Sequence, residues 1–165
     1  MAKVVVAIYK GSGPARFYAD DLAIRPIFGD PDSPPPAGGC QHLVLPGYFD
    51  PAAGLWDQAT GTGTGLGVAV FNPDSGPGAR YSAAYADTIA AARAARRTPF
   101  GYVYALYGER PIAEVLADVD RYADWYGVRN VFLDNGATAL ADLPYFRDVA
   151  AHVHARGGVV LVNFG

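Results

Sequence analysis

The chain has 165 residues, 51% hydrophobic and 18% charged, with a net charge of −3. That length supports one domain with a real core, and the acidic balance excludes a nucleic-acid partner, which needs a basic face. The single cysteine, Cys40, excludes an internal disulfide and a cysteine-based metal site.

Residues 4–9, Val-Val-Val-Ala-Ile-Tyr, read as a β-branched strand ended by Gly11-Ser12-Gly13-Pro14. The six uncharged residues between Lys3 and Lys10 are too few for a signal-peptide apolar region, and no apolar run reaches the length that crosses a membrane. The chain is therefore expected in the cytoplasm, or outside the cell as part of an assembly. The stretch from Gly29 to Gly39, with Pro31, Pro34, Pro35 and Pro36, holds neither helix nor central strand and reads as a linker. Residues 1–40 are thus expected to be an extension, separate from a domain over 41–165.

In that domain His42 to Phe49 reads as a strand running into a loop, and Gly61 to Gly67 as a glycine-threonine turn. Val68 to Phe71 is the next strand, ending in the rigid loop Asn72-Pro73-Asp74-Ser75-Gly76-Pro77-Gly78. Residues 80–97 lack Gly and Pro and place Tyr81, Tyr85, Ile89 and Ala92 on one stripe, which predicts a helix stopped by Pro99. Arg93, Arg96 and Arg97 suit its C-terminal end. Phe100 to Leu106 is a third strand. Residues 112–126 form a second helix with Ile112, Val115, Leu116, Val119 and Tyr122 inward and Pro111 at its first position. Val131 to Asp134 is a fourth strand, Leu143 to Ala155 a third helix ended by Gly157-Gly158, and Val159 to Asn163 a fifth strand.

Alternating strands and helices of these lengths predict βα repeats in a parallel sheet, an α/β fold. Five strands can make a small open sheet or part of a TIM-type (β/α)8 barrel, which takes ~250 residues. The chain stops two residues after the strand-end Asn163, which favours an incomplete barrel.

The strand-end motifs Asn72 to Gly78, Gly101-Tyr102-Val103 with Tyr107 to Pro111, Asp118 to Tyr122 with Trp125-Tyr126, and Val131 to Asp134 occur in that order. Together they resemble the spherulation-specific family 4, the spherulin-4-like proteins, over roughly residues 43–165. The resemblance implies a (β/α)8 barrel related to glycoside hydrolases that act on galactosamine-containing polysaccharides, and it aligns Asp134 with an active-site acid. It also implies a Glu directly after that acid, where this chain has Asn135, and a further acid on a later strand.

Glycoside hydrolysis uses two carboxyl groups, about 5–5.5 Å apart for retention or ~6.5–9.5 Å for inversion. Asp134, at the carboxyl end of a buried strand, is the candidate catalytic acid, since α/β folds place their sites at that edge. Asp50 and Asp74 also follow strands and are weaker candidates for the second. Tyr48, Asn72, Ser75, Tyr107, Arg110, Asn135 and Asn163 are expected to line a sugar cleft. Each has a plainer reading. Asn72 and Ser75 can simply shape their loop, Asn135 can be a turn residue before Gly136, and Arg110 can pair with Asp118 and fix its own loop. Tyr104 is expected to pack. His152 and His154, two apart on a helix, do not face one another, so no metal site is predicted, and without a glycine-rich phosphate loop no cofactor is expected. The partner expected is a polysaccharide. The alternative is a non-catalytic carbohydrate-binding or structural module of a larger assembly, such as a phage tail, attached or oligomerised through residues 1–40.

Overall fold

The computed structural model describes residues 43–61 and 66–164. The expected strand over 4–9, the linker, Cys40, His42 and the middle of the Gly61–Gly67 turn lie outside the described residues. Five strands form one parallel sheet in sequential order: β1 (Leu43–Gly47), β2 (Leu66–Phe71), β3 (Thr98–Tyr104), β4 (Asn130–Asp134) and β5 (Val160–Val162). Four helices alternate with them: α1 (Leu55–Thr60), α2 (Ala83–Ala94), α3 (Ile112–Tyr126) and α4 (Leu143–Ala155). Sequential parallel order with crossover helices is barrel order, and the sheet curls into an incomplete α/β barrel. Among the described residues, β1 and β5 each pair on one side only. None of the described helices is long and apolar enough to cross a membrane.

Side chains on a strand alternate between faces, and here both faces are used. Ala69, Phe71, Val103, Val131 and Leu133 pack outward against Ile89, Val115, Val119, Tyr122, Val149 and Val153 of the helices. Val70, Phe100, Tyr102 and Phe132 turn to the concave side and form a second, smaller cluster with Val68 and Tyr104. This two-sided burial is why these strands are apolar runs instead of alternations.

The helices begin and end where local chemistry requires. The Ser82 hydroxyl accepts the Tyr85 N–H and caps α2, so that helix starts later than the apolar stripe suggested. It also ends before Pro99. The chain has already reversed at Arg96, in the left-handed region at φ 60°, and Pro99 is the second residue of β3. Pro111 stands just before α3 as its N-cap. At the end of α4, Gly157 (φ 75°) donates to the His154 carbonyl and Gly158 to the Val153 carbonyl, the paired bonds that close a helix through a left-handed glycine. The sequence reading missed α1, which at six residues is too short to show a period.

The arginines at the end of α2 and just beyond it serve neighbouring helices. Arg93 donates to the Tyr126 and Gly127 carbonyls at the end of α3. Arg97 donates to the carbonyls of Thr60, Gly61 and Leu66, joining the end of α1 to the start of β2. Both place a cation where a helix leaves carbonyls unpaired.

Gly101 shows how closely helix and sheet approach. A Cβ there would lie 2.5 Å from the Tyr122 ring, and that ring cannot withdraw because it is fully buried and its hydroxyl donates to the Phe71 carbonyl at 2.9 Å. Gly101→Ala is expected to lower stability by about 1–3 kcal/mol through overpacking, read as a shifted urea-unfolding midpoint at unchanged slope.

Candidate active site

The alternation that buries Val131 and Leu133 against the helices turns Asp134 onto the concave face at the carboxyl end of β4. It is the only acid in the five described strands. By the same parity Val160 and Val162 pack with the helical layer, so Asn163 turns inward, and Tyr102 of β3 turns inward between Gly101 and Val103. These three side chains meet. The Tyr102 hydroxyl donates to Asp134 Oδ2 at 2.6 Å, and Asn163 Nδ2 donates to Asp134 Oδ1 at 2.7 Å. Both carboxylate oxygens are therefore held, one from β3 and one from the residue just after β5.

The backbone around Asp134 is held too. Ala105 donates to the Asp134 carbonyl and Asn163 to that of Leu133, each at 2.9 Å, while Tyr107 donates to the Asn135 carbonyl at 2.7 Å. Asn135 itself is left-handed, at φ 55°, a conformation that Asn adopts more readily than most non-glycine residues. This turn takes the chain out of the sheet directly after the acid.

Burial, followed by the hydrogen bond to Asp134 and that group's charge, pushes the Tyr102 phenol well above its ordinary value. Tyr102 therefore remains a neutral hydroxyl donor. Tyr48 lies alongside, its ring edge-on to that of Tyr102 at 5.7 Å and 84°. It is 58% exposed, and its phenol is likewise raised, by burial first and then by Asp134. An exposed aromatic wall thus stands beside a held carboxylate.

Among the described residues, the side chains of the other expected site residues make no hydrogen bond or ion pair with Asp134. Asn72 Oδ1 accepts the Gly76 N–H at 3.0 Å, which folds the 72–78 loop back on itself with Ser75 at φ 50°. Arg110 donates to the Tyr104 carbonyl at 3.0 Å and to Asp118 Oδ2 at 2.7 Å. Arg121 takes the other Asp118 oxygen at 2.9 Å, and a Cβ on Gly76 would sit 3.3 Å from that carboxylate. Buried Asp118 thus ties α3 to the Arg110 loop and lies close beside the 72–78 loop, and Arg110 fixes its loop, the plainer of its two readings. Tyr107 is half-exposed and left-handed, at φ 55°. Asp50 accepts the Ala52 N–H and caps its own turn. His152 meets Asp120, which also binds Arg156. A groove of about 370 Å³ lined by Arg110, Ala113, Glu114, Ala117 and Arg121 lies beside the rim and does not include Asp134.

Sequence reasoning missed Tyr102. The available signal was its parity with Phe100 and Tyr104, but its reach to Asp134 depends on how β3 and β4 pair, with Tyr104 opposite Asp134.

A partial parallel α/β barrel with a carboxylate held at the carboxyl edge of its strands has the architecture of a glycosidase-type barrel. The chain belongs to the spherulation-specific family 4, which it matches over residues 42–165. It is 34% identical over 122 residues to Spherulin-4 of Physarum polycephalum, an alignment spanning 72% of this chain and 36% of that protein. It also resembles the crystal structure of Aspergillus clavatus Sph3 in complex with GalNAc, with a TM-score of 0.62 and 26% identity over 77% of this chain and 59% of that one.

Two outcomes follow from this geometry. In Asp134→Asn the phenolate of Tyr102 no longer faces an anion, so its titration should fall towards the ordinary tyrosine value, followed by NMR of the ring Cζ at alkaline pH. Asp118→Ala removes the buried anion that Arg110 and Arg121 share and should cost about 2 kcal/mol, seen as a lower thermal midpoint.

Proposed function

We propose that this chain carries part of a glycosidase-like barrel that binds an amino-sugar polysaccharide of the galactosamine type along the carboxyl ends of its strands. The observation that carries the reading is the Asp134 carboxylate, held from both sides on the concave face beside the exposed Tyr48 ring. A carboxylate accepts hydrogen bonds from sugar hydroxyls, and an aromatic ring offers an apolar plane to the carbon face of a sugar. The likeness to Sph3, solved with GalNAc, supports the choice of amino sugar. Asn163 serves the site through Asp134, Tyr107 and Asn135 stand at its rim, and Asn72, Ser75 and Arg110 shape the loops around it. Residues 1–40 are proposed as a separate extension.

In hydrolysis Asp134 supplies one of the two carboxyl groups required. With both oxygens accepting hydrogen bonds, it suits the part of nucleophile, base or stabiliser of the oxocarbenium charge better than that of proton donor. The chain spans 36% of the Physarum relative and 59% of the solved Sph3 chain, and the second carboxyl group is assigned to the whole protein.

One observation favours a non-catalytic binding module instead. The residue after the acid is an amide, Asn135, in a left-handed turn suited to Asn. A galactosamine oligosaccharide separates the two readings. Asp134→Ala is expected to weaken binding at least tenfold, a loss of ~1.4 kcal/mol or more. If the unsubstituted chain also releases reducing sugar and the variant does not, the barrel is catalytic. If it binds without releasing sugar, it is the module. Equal binding by both proteins would remove Asp134 from the sugar site.

A further inference from the structure

We propose that Tyr102 is a positioning residue that joins the Asp134 carboxylate to the Tyr48 ring, so that both meet a single sugar residue. The inference rests on the reading of Asp134 as part of a sugar site. It gives a role to a residue that lies in the strand-end motif Gly101-Tyr102-Val103 but is not among the expected site residues.

Tyr102 is 7% exposed, so it does not itself offer a surface to a polysaccharide. Its hydroxyl is committed to Asp134 Oδ2 at 2.6 Å. Its ring lies over Phe132, with centroids 6.2 Å apart and planes 25° apart, and meets Tyr48 edge-on at 5.7 Å. One buried side chain thus touches both the half-buried carboxylate and the exposed ring, and is braced from below.

An ionised carboxylate has about four lone-pair positions. Tyr102 takes one and Asn163 another, on opposite oxygens. This fixes the carboxylate plane and leaves about two acceptor positions for donors from outside. Two adjacent donors on one sugar ring, either two hydroxyls or a hydroxyl and an amide N–H, match that remainder. Tyr48 then offers its face to the same ring. Without the Tyr102 hydroxyl the carboxylate keeps one anchor and can turn about its own side-chain bonds.

N-acetylgalactosamine is the probe, titrated by NMR into the unsubstituted chain, Tyr102→Phe, Asp134→Asn and the double variant. Tyr102→Phe keeps the ring and removes only the hydroxyl. It is expected to weaken binding about tenfold in the parent and to cost nothing further in the Asp134→Asn background, because its effect passes through the carboxylate. In the unsubstituted chain the Tyr102 Cζ resonance should move as sugar is added, a signature that needs no variant and that a purely structural tyrosine would not give.

Parent-like binding by Tyr102→Phe, an equal loss in both backgrounds, or a still Cζ resonance overturns the inference while leaving the sugar site standing if Asp134→Asn still weakens binding. Parent-like binding by Asp134→Asn defeats the sugar-site reading, and this inference with it.

Discussion

Every feature of the site follows from the alternation of side chains along parallel strands that are buried on both faces. In β4, Val131 and Leu133 must face the helices to complete the larger core. Phe132 and Asp134 are thereby turned to the concave side, Phe132 as packing and Asp134 as the one acid among the described strands. A one-residue slip would send Asp134 into the largely apolar helical layer, where an unpaired carboxylate is severely penalised. Hydrophobic packing therefore fixes the direction of the acid.

The rim is held by a separate polar system. Asp118 is buried on α3 and binds Arg110 and Arg121, one on each oxygen. Arg110 passes the constraint to the Tyr104 carbonyl, and Tyr145 of α4 donates to the Arg110 carbonyl at 2.8 Å. Asn72 closes the neighbouring loop on itself. The strand-end motifs are thus largely devices that set loop paths, while Asp134 and its two donors stand on the strands or directly after them. This division suits a site that needs a rigid base, since loops braced by ion pairs do not sag into the cleft.

Membership of the spherulation-specific family and the likeness to Sph3 agree with the sequential parallel order of the sheet. The five described strands form part of a barrel, so the concave face is an open trough. Its aromatic lining, Tyr48 outermost and Tyr102 and Phe132 beneath, grades from exposed to buried.

The sequence alone carried the α/β class, the parallel repeats, the bounds of α3 and α4, and the strand-end place of Asp134, because these depend on periods and breakers that neighbouring residues spell out. It also carried the family. It did not carry α1, which is too short for a period, or the true end of α2, where a left-handed Arg96 precedes the proline that was expected to stop it. Nor did it show that Tyr102 and Asn163 converge on Asp134 from 32 and 29 residues away. Which side chains meet across strands depends on register and on the curl of the sheet, and both are set by the packing of helices against it, a property of the whole fold that no local stretch of residues contains.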